Sequence, residues 1–314
     1  MAEDRLMRIG REIFLAAFGI QLEKVDPWVI DRLTSILEEQ EVHRGQTLCT
    51  EGEPIAALYF MQNGEVRFTR DGGPSWTLRG RWIIGGLEAL TDRHATRTAT
   101  AMVDFYGVKV PAVDGVEMLE DSSPLARLAV MNVSRALMRT EERVPTGAPA
   151  SPREPSPLPE VPWGTLSQVE RLALLLDVRM LRAAGVQALA DLAAVSKQVA
   201  FGAGDLLVER GVEQENMIQV VEGGVLAECD VPAMERRYGP CDLVCGAAIL
   251  GQVASRWQAR AVAPSRGISF PISGLFDLME EHFDLVRSTL AALAVRRELL
   301  LEHLAAESGD LVLT

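Results

Sequence analysis

The 314 residues carry 31 Lys and Arg against 44 Asp and Glu, a net charge of −13, with 48% hydrophobic and 24% charged residues. A chain of this length has room for two ordinary cores, its composition excludes a disordered protein, and no run of about 18 apolar residues offers a membrane span. The acidic balance repels polyanions, so nucleic acid is not an expected partner.

The first residues, MAEDRLMRIG, lack a charged-then-apolar secretory start. Cys49, Cys229, Cys241 and Cys245 are too few and too unevenly placed to staple a chain of this size. A cytoplasmic protein with reduced thiols is expected. Three of the cysteines cluster at 229 to 245, but no His lies among them and the stretch is punctuated like strands, so buried structural thiols are expected there and no metal.

In chain order, a helical lead-in (LTSILEEQ, 33–40) precedes short apolar runs broken by Gly, Pro, Asp and Asn, the pattern of an antiparallel sandwich or barrel. LYFMQNGEVRF (58–68) reads as a hairpin, with Asn-Gly between two β-prone runs. After Pro111 the period becomes helical and ends in PLARLAVMNVSRALMRTEE (124–142). Seven of the 16 prolines then fall between 145 and 162, a density that suits neither helix nor sheet interior and reads as an extended linker.

The residues after the prolines repeat the pattern of those before them. GQTLCTEG at 45–52 returns as GDLLVERG at 204–211, a shift of 159, and LYFMQNGEV at 58–66 lies over MIQVVEGGV at 217–225. From there the shift is 160: Gly86 over Gly246, Ala99 over Ala259, Gly107 over Gly267, Pro111 over Pro271 and Leu125 over Leu285. One residue inserted in a surface hairpin accounts for the step. The domains expected are therefore 1–143 and 163–314, joined by a linker at 144–162.

These residues carry a family resemblance. The pattern G-x-x-L-x-x-E-G-E at 45–53, LYFMQNGEV at 58–66 and GGLEALTDRHATRTATA at 85–101 resemble the cyclic nucleotide-binding domain, and GDLLVERG, VVEGGV and YGPCDLVCGAAIL resemble it a second time. The resemblance implies an α+β, mainly β fold: two jelly-roll β-barrels, each flanked by helices. It also implies a short helix at which an Arg and backbone N–H groups receive a cyclic phosphate, while a Glu nine residues before the Arg accepts from the ribose.

In the first half the candidate pocket comprises Gly85, Gly86, Leu87, Glu88, Ala89, Arg93, Ala95, Thr96, Arg97 and Thr98. An ungapped alignment puts Gly86 at the Glu position and Ala95 at the Arg position. A second alignment takes Glu88 and Arg97, which are nine apart, at the cost of two residues added before the helix and two removed after it. If neither contact is kept, Glu88, Arg93 and Arg97 read as a surface ion-pair cluster worth less than about 1 kcal/mol, and Thr96, Thr98 and Thr100 as one face of a strand. In the second half Gly246 stands for the Glu and Ser255 for the Arg; Arg256 is adjacent, but Ala247, nine residues before it, supplies no carboxylate. No cofactor is expected, a cyclic nucleotide in the first half being the exception that stays open.

The four histidines are scattered, and no phosphate-binding or dinucleotide loop occurs, so catalysis is not expected. Relatives that bind DNA carry a helix-turn-helix after the long helix, and relatives that inhibit a kinase carry a basic segment in front; neither pattern is read in these residues, and neither role is expected. A bacterial-type regulatory or scaffold protein acting through protein partners is the expectation, with a genuine nucleotide sensor as the alternative. Val286, Leu290, Leu293, Leu300 and Leu304 form an apolar stripe interrupted at Arg297. They are read as packing on their own domain or as pairing with a second copy or a partner helix.

Overall fold

The computed structural model describes residues 27–91, 93–144, 164–182, 184–230, 233–309 and 311–314. The Pro-rich stretch expected to be a linker lies outside these residues except for Val144. The chain falls into two compact units, one of residues up to 132 together with 298–314, the other of residues 133–297.

In the first unit α1 (Pro27–Ile36) buries Val29 and Leu33, one helical turn apart. The sheet runs in the order β1 (Glu38–Val42), β6 (Phe105–Pro111), β3 (Ala57–Thr69), β4 (Trp76–Ile84) and β14 (Leu311–Leu313). β14 pairs with β4 in parallel, and the other neighbours are antiparallel. β2 (Thr47–Cys49) pairs with β5 (Thr98–Ala101), and β5 with β3. Strand β3 therefore serves two neighbours on one side, β6 through residues 57–61 and β5 through residues 66–69. The helices are α2 (Gly86–Leu90), α3 (Ala112–Glu120) and the first half of α4 (Ser123–Glu141).

The Asn-Gly of the expected hairpin does not turn the chain. Residues 57–69 form one strand, and the ladder to β4 shifts its pairing between Met61 and Gly64. A side chain at Gly64 would put its Cβ 2.4 Å from Met61 Sδ, so the glycine lets the strand pass a bulge instead of reversing.

In the second unit α5 (Gln168–Leu176) starts at a capping box in which Ser167 and Glu170 exchange hydrogen bonds. A 3-10 turn (Arg179–Leu181) and α6 (Val186–Val195) come next. The strands are β7 (Lys197–Phe201), β8 (Leu206–Val208), β9 (Asn216–Glu222), β10 (Val225–Asp230), β11 (Ala233–Tyr238), β12 (Gln258–Ala261) and β13 (Ser265–Pro271). Helix α7 (Gly246–Leu250) precedes β12, and α8 (Ile272–Glu281) and most of α9 (Phe283–Ser308) come after β13. Two sheets form, β11-β10-β12-β8 and β7-β13-β9. Val220 of β9 joins Leu207, Val225, Ala227, Trp257 and Ala259 in one buried cluster drawn from both.

The starts of β1 and β7 are 159 residues apart, as are those of β2 and β8; α2 and α7, β5 and β12, and β6 and β13 start 160 apart. The step lies in one hairpin, since Phe68 faces Trp76 across β3 and β4 while Ala227 faces Arg236 across β10 and β11.

Three expectations are corrected. Among the described residues the sheets are open and close no barrel, because β1 and β14 end the first sheet as edges while β2 and β5 attach only to the second half of β3. The fold is mixed, not mainly β, because α4 and α9 are long. The stripe Val286, Leu290, Leu293, Leu300 and Leu304 is buried in the single chain, so it is core and offers no open face to a second copy. The boundary between the units falls inside α4 and α9.

Close backbone approach sets one sharp requirement. A Cβ at Gly267 would lie 2.4 Å from the carbonyl oxygen of Gln219, and one at Gly107 would lie 2.9 Å from that of Phe60. Gly267→Ala is expected to cost about 2 kcal/mol or more, and Gly107→Ala less, read from urea denaturation midpoints.

Candidate functional site

The first site begins where β4 ends. Gly85 has φ +80°, and a Cβ there would lie 3.0 Å from Ile55 Cγ2 and 3.2 Å from the Ala57 carbonyl oxygen, so the turn into α2 requires glycine. Gly86 opens α2 with no side chain to offer a ligand, and Leu87, Glu88 and Ala89 are half-buried along it. Thr91 closes the helix by donating to the Leu87 carbonyl at 2.7 Å.

Beyond α2 the chain enters β5 with alternate residues buried: Ala95, Arg97, Ala99 and Ala101 point inward, while Thr96, Thr98 and Thr100 are half-exposed. Arg97 is thus no surface residue, which overturns the surface ion-pair reading; it is 2% exposed. Its guanidinium lies 3.9 Å above the Trp76 ring. One Nη donates to the Pro74 carbonyl at 2.6 Å and the other to Glu302 Oε1 at 2.6 Å. Glu302 Oε1 also meets Arg70 Nη2 at 2.7 Å, and Glu298 lies 3.9 Å from both Arg97 and Arg93. Burial and the neighbouring Arg70 push the Arg97 pKa down, while Glu302 and Glu298 oppose them. Both Nη groups of Arg97 are therefore engaged within its own chain.

The second site has the same backbone. Ser255 donates its N–H to the Val212 carbonyl and accepts from Gly211 N–H, as Ala95 does with Glu53 and Gly52, each pair 159 or 160 residues apart. This equivalence places Ser255 where Ala95 stands, and the Ser255 hydroxyl is used locally, bonding the N–H and carbonyl of Trp257. Arg256 pairs with Glu142 at 2.7 Å and donates to Cys229 Sγ. Gly246 and Ala247 line a cavity of about 1680 Å³ whose wall carries arginines and carboxylates in equal number, which gives an anion no net attraction.

The interactions that organise both sites involve residues that motif reading passed over. In the second unit Arg236 lies 4.9 Å from the Trp257 ring and pairs with Glu141 at 2.9 Å. Burial alone would lower the Arg236 pKa, but Tyr238 and Glu141 reverse the shift and raise it. By strand pairing, Arg236 occupies the place of Trp76, and Trp257 the place of Arg97. The cation and the ring have changed places and the stack survives. Among the described residues no group of His, Cys, Asp and Glu could hold a metal ion. None of the four cysteines forms a disulfide.

Removing Glu302 strands a buried cation, whereas removing Arg97 leaves Glu302 with Arg70. Glu302→Ala is therefore expected to cost about 2–3 kcal/mol and Arg97→Met about 1 kcal/mol, measured by urea denaturation; the reverse order would contradict this electrostatic account. Burial raises the Cys49 and Cys245 pKa values from 9.0 to about 11, so folding favours the neutral thiols. Their contribution is complete below pH 9.0 and is lost as pH rises toward about 11. Urea midpoints are expected to fall over that interval, with a shallower fall in Cys245→Ala.

No curated protein matches the chain in sequence. Among solved structures it is similar to the regulatory domain of Toxoplasma gondii PKA in complex with cAMP, at 16% identity over 94% of this chain and 97% of that one, with a TM-score of 0.36. It is also similar to the regulatory subunit of a cAMP-independent protein kinase A from Trypanosoma brucei, at 14% identity over 98% and 94%, TM-score 0.35. The sensor domain of the transcriptional regulator DNR from Pseudomonas aeruginosa matches at 18% identity over 40% of this chain and 91% of that domain, TM-score 0.36. Residues 39–122 match the model of the cyclic nucleotide-binding domain family.

Proposed function

We propose that the chain is a non-enzymatic regulatory protein, a tandem pair of cyclic nucleotide-binding-like folds (1–143 and 163–314, joined through 144–162) that acts through protein partners and does not respond to cyclic nucleotides. The observation that carries this reading is the state of Arg97: its two Nη groups donate to Pro74 and Glu302 of the same chain, while Gly86 and Gly246 offer no carboxylate to a ribose. A cyclic phosphate would have to displace Glu302 and would gain no sugar contact from either glycine in return. In the second unit Ser255 is closed on its own backbone and Arg256 is paired with Glu142.

A sensor reading draws on one feature, the nine-residue spacing of Glu88 and Arg97 with Arg97 buried. Ligand titration separates the two. The regulatory reading expects no cyclic AMP or cyclic GMP binding tighter than about 100 μM, roughly −5.5 kcal/mol. Micromolar affinity by calorimetry, abolished in Glu88→Ala and Arg97→Ala, would replace it with the sensor.

A further inference from the structure

The two units build one arrangement from exchanged residues. In the first, Arg97 stacks on Trp76 and holds Glu302; in the second, Arg236 stacks on Trp257 and holds Glu141. Each carboxylate belongs to the far end of a long helix, Glu141 to α4 and Glu302 to α9. The residue at each strand position differs between the units, yet the combination of cation, ring and carboxylate is the same, so the combination is what the fold requires.

We infer that Glu302 and Glu141 are built-in occupants of an arginine site, each holding the end of its long helix until a competing phosphate or carboxylate takes the guanidinium. This rests on the reading that neither pocket is tuned to a cyclic nucleotide. A guanidinium presents the same forked donors to a carboxylate and a phosphate, so an external anion competes for the same geometry. In the first unit the occupant fills the fork incompletely: Arg97 Nε and Glu298 Oε1 are buried 3.9 Å apart, and neither makes a hydrogen bond. An anion with more acceptor oxygens satisfies that donor as well.

The hold extends beyond one ion pair. Residues after Glu302 complete α9 and continue into β14, where Leu311 pairs with Trp76, the residue whose ring lies against Arg97. Losing Glu302 from the guanidinium therefore frees the helix end and the parallel edge strand together.

Hydrogen exchange on the full chain tests the inference. Glu302→Ala is expected to speed amide exchange in residues 303–308 and 311–313 by about tenfold or more. Glu141→Ala is expected to speed exchange likewise near the end of α4. Unchanged exchange in a folded Glu302→Ala protein would reduce the carboxylate to ordinary packing and overturn the inference. Should that variant fail to fold, the wild type decides: inorganic phosphate is expected to raise exchange at 303–313 above a chloride control, and equal exchange in the two overturns the inference. Micromolar cyclic nucleotide binding by the wild type would defeat the functional reading while leaving the faster exchange of Glu302→Ala intact, so the two failures are distinguishable.

Discussion

A guanidinium taken out of water must find a carboxylate, and Arg97 is such a guanidinium. The alternation of β5 places it in the inward row with Ala95, Ala99 and Ala101, where a cation without a partner would be strongly destabilising. Its partner is supplied from more than 200 residues away by Glu302, near the end of α9. The residues after Glu302 include β14, which pairs on the edge of β4, so the first unit is completed by residues remote in the chain.

The second unit meets the same constraint with the residues exchanged. β4 and β5 flank β3 as β11 and β12 flank β10, so an aromatic ring on one flank and an arginine on the other can meet whichever strand carries which. A cation–π stack depends on the ring face and the cation, not on which strand bears them. The local packing differs accordingly: Phe68 stacks beside Trp76 at 6.2 Å, while Ala227 stands at the matching place in the second unit. Glycines show the same economy. Gly107 and Gly267 are both pressed against a carbonyl of the neighbouring strand, β3 for the first and β9 for the second.

These features explain why a nucleotide-like motif does not settle a nucleotide-like function. Gly85 and Cys245 make the left-handed turn and Gly86 and Gly246 open the short helix after it, but a turn needs only backbone, whereas binding a ribose needs a side chain. The stacked arginines of both units already pair with carboxylates of the same chain, and the cavity beside Gly246 is lined evenly by both signs of charge. The scaffold and the chemistry of a site are separable.

The order of elements and their recurrence at 159 and 160 residues were legible in the residues alone, because glycine turns, prolines and apolar periodicity are local signals that pairing does not alter. So was the lack of a carboxylate at Gly86 and Gly246, since residue identity is all that statement needs. The Asn-Gly at 63–64 misled, since the same dipeptide serves a bulge when the strands on both sides stay paired. The inward position of Arg97 could be read in the alternation of alanines and threonines from 95 to 101, although charge argues for the surface. Folding was needed to reveal the partner of that arginine, the exchange of Trp76 and Arg97 for Arg236 and Trp257, and the burial of the leucine stripe. Each depends on contacts between segments far apart in the chain, and a helical stripe or a charged residue carries no local mark of what will cover it.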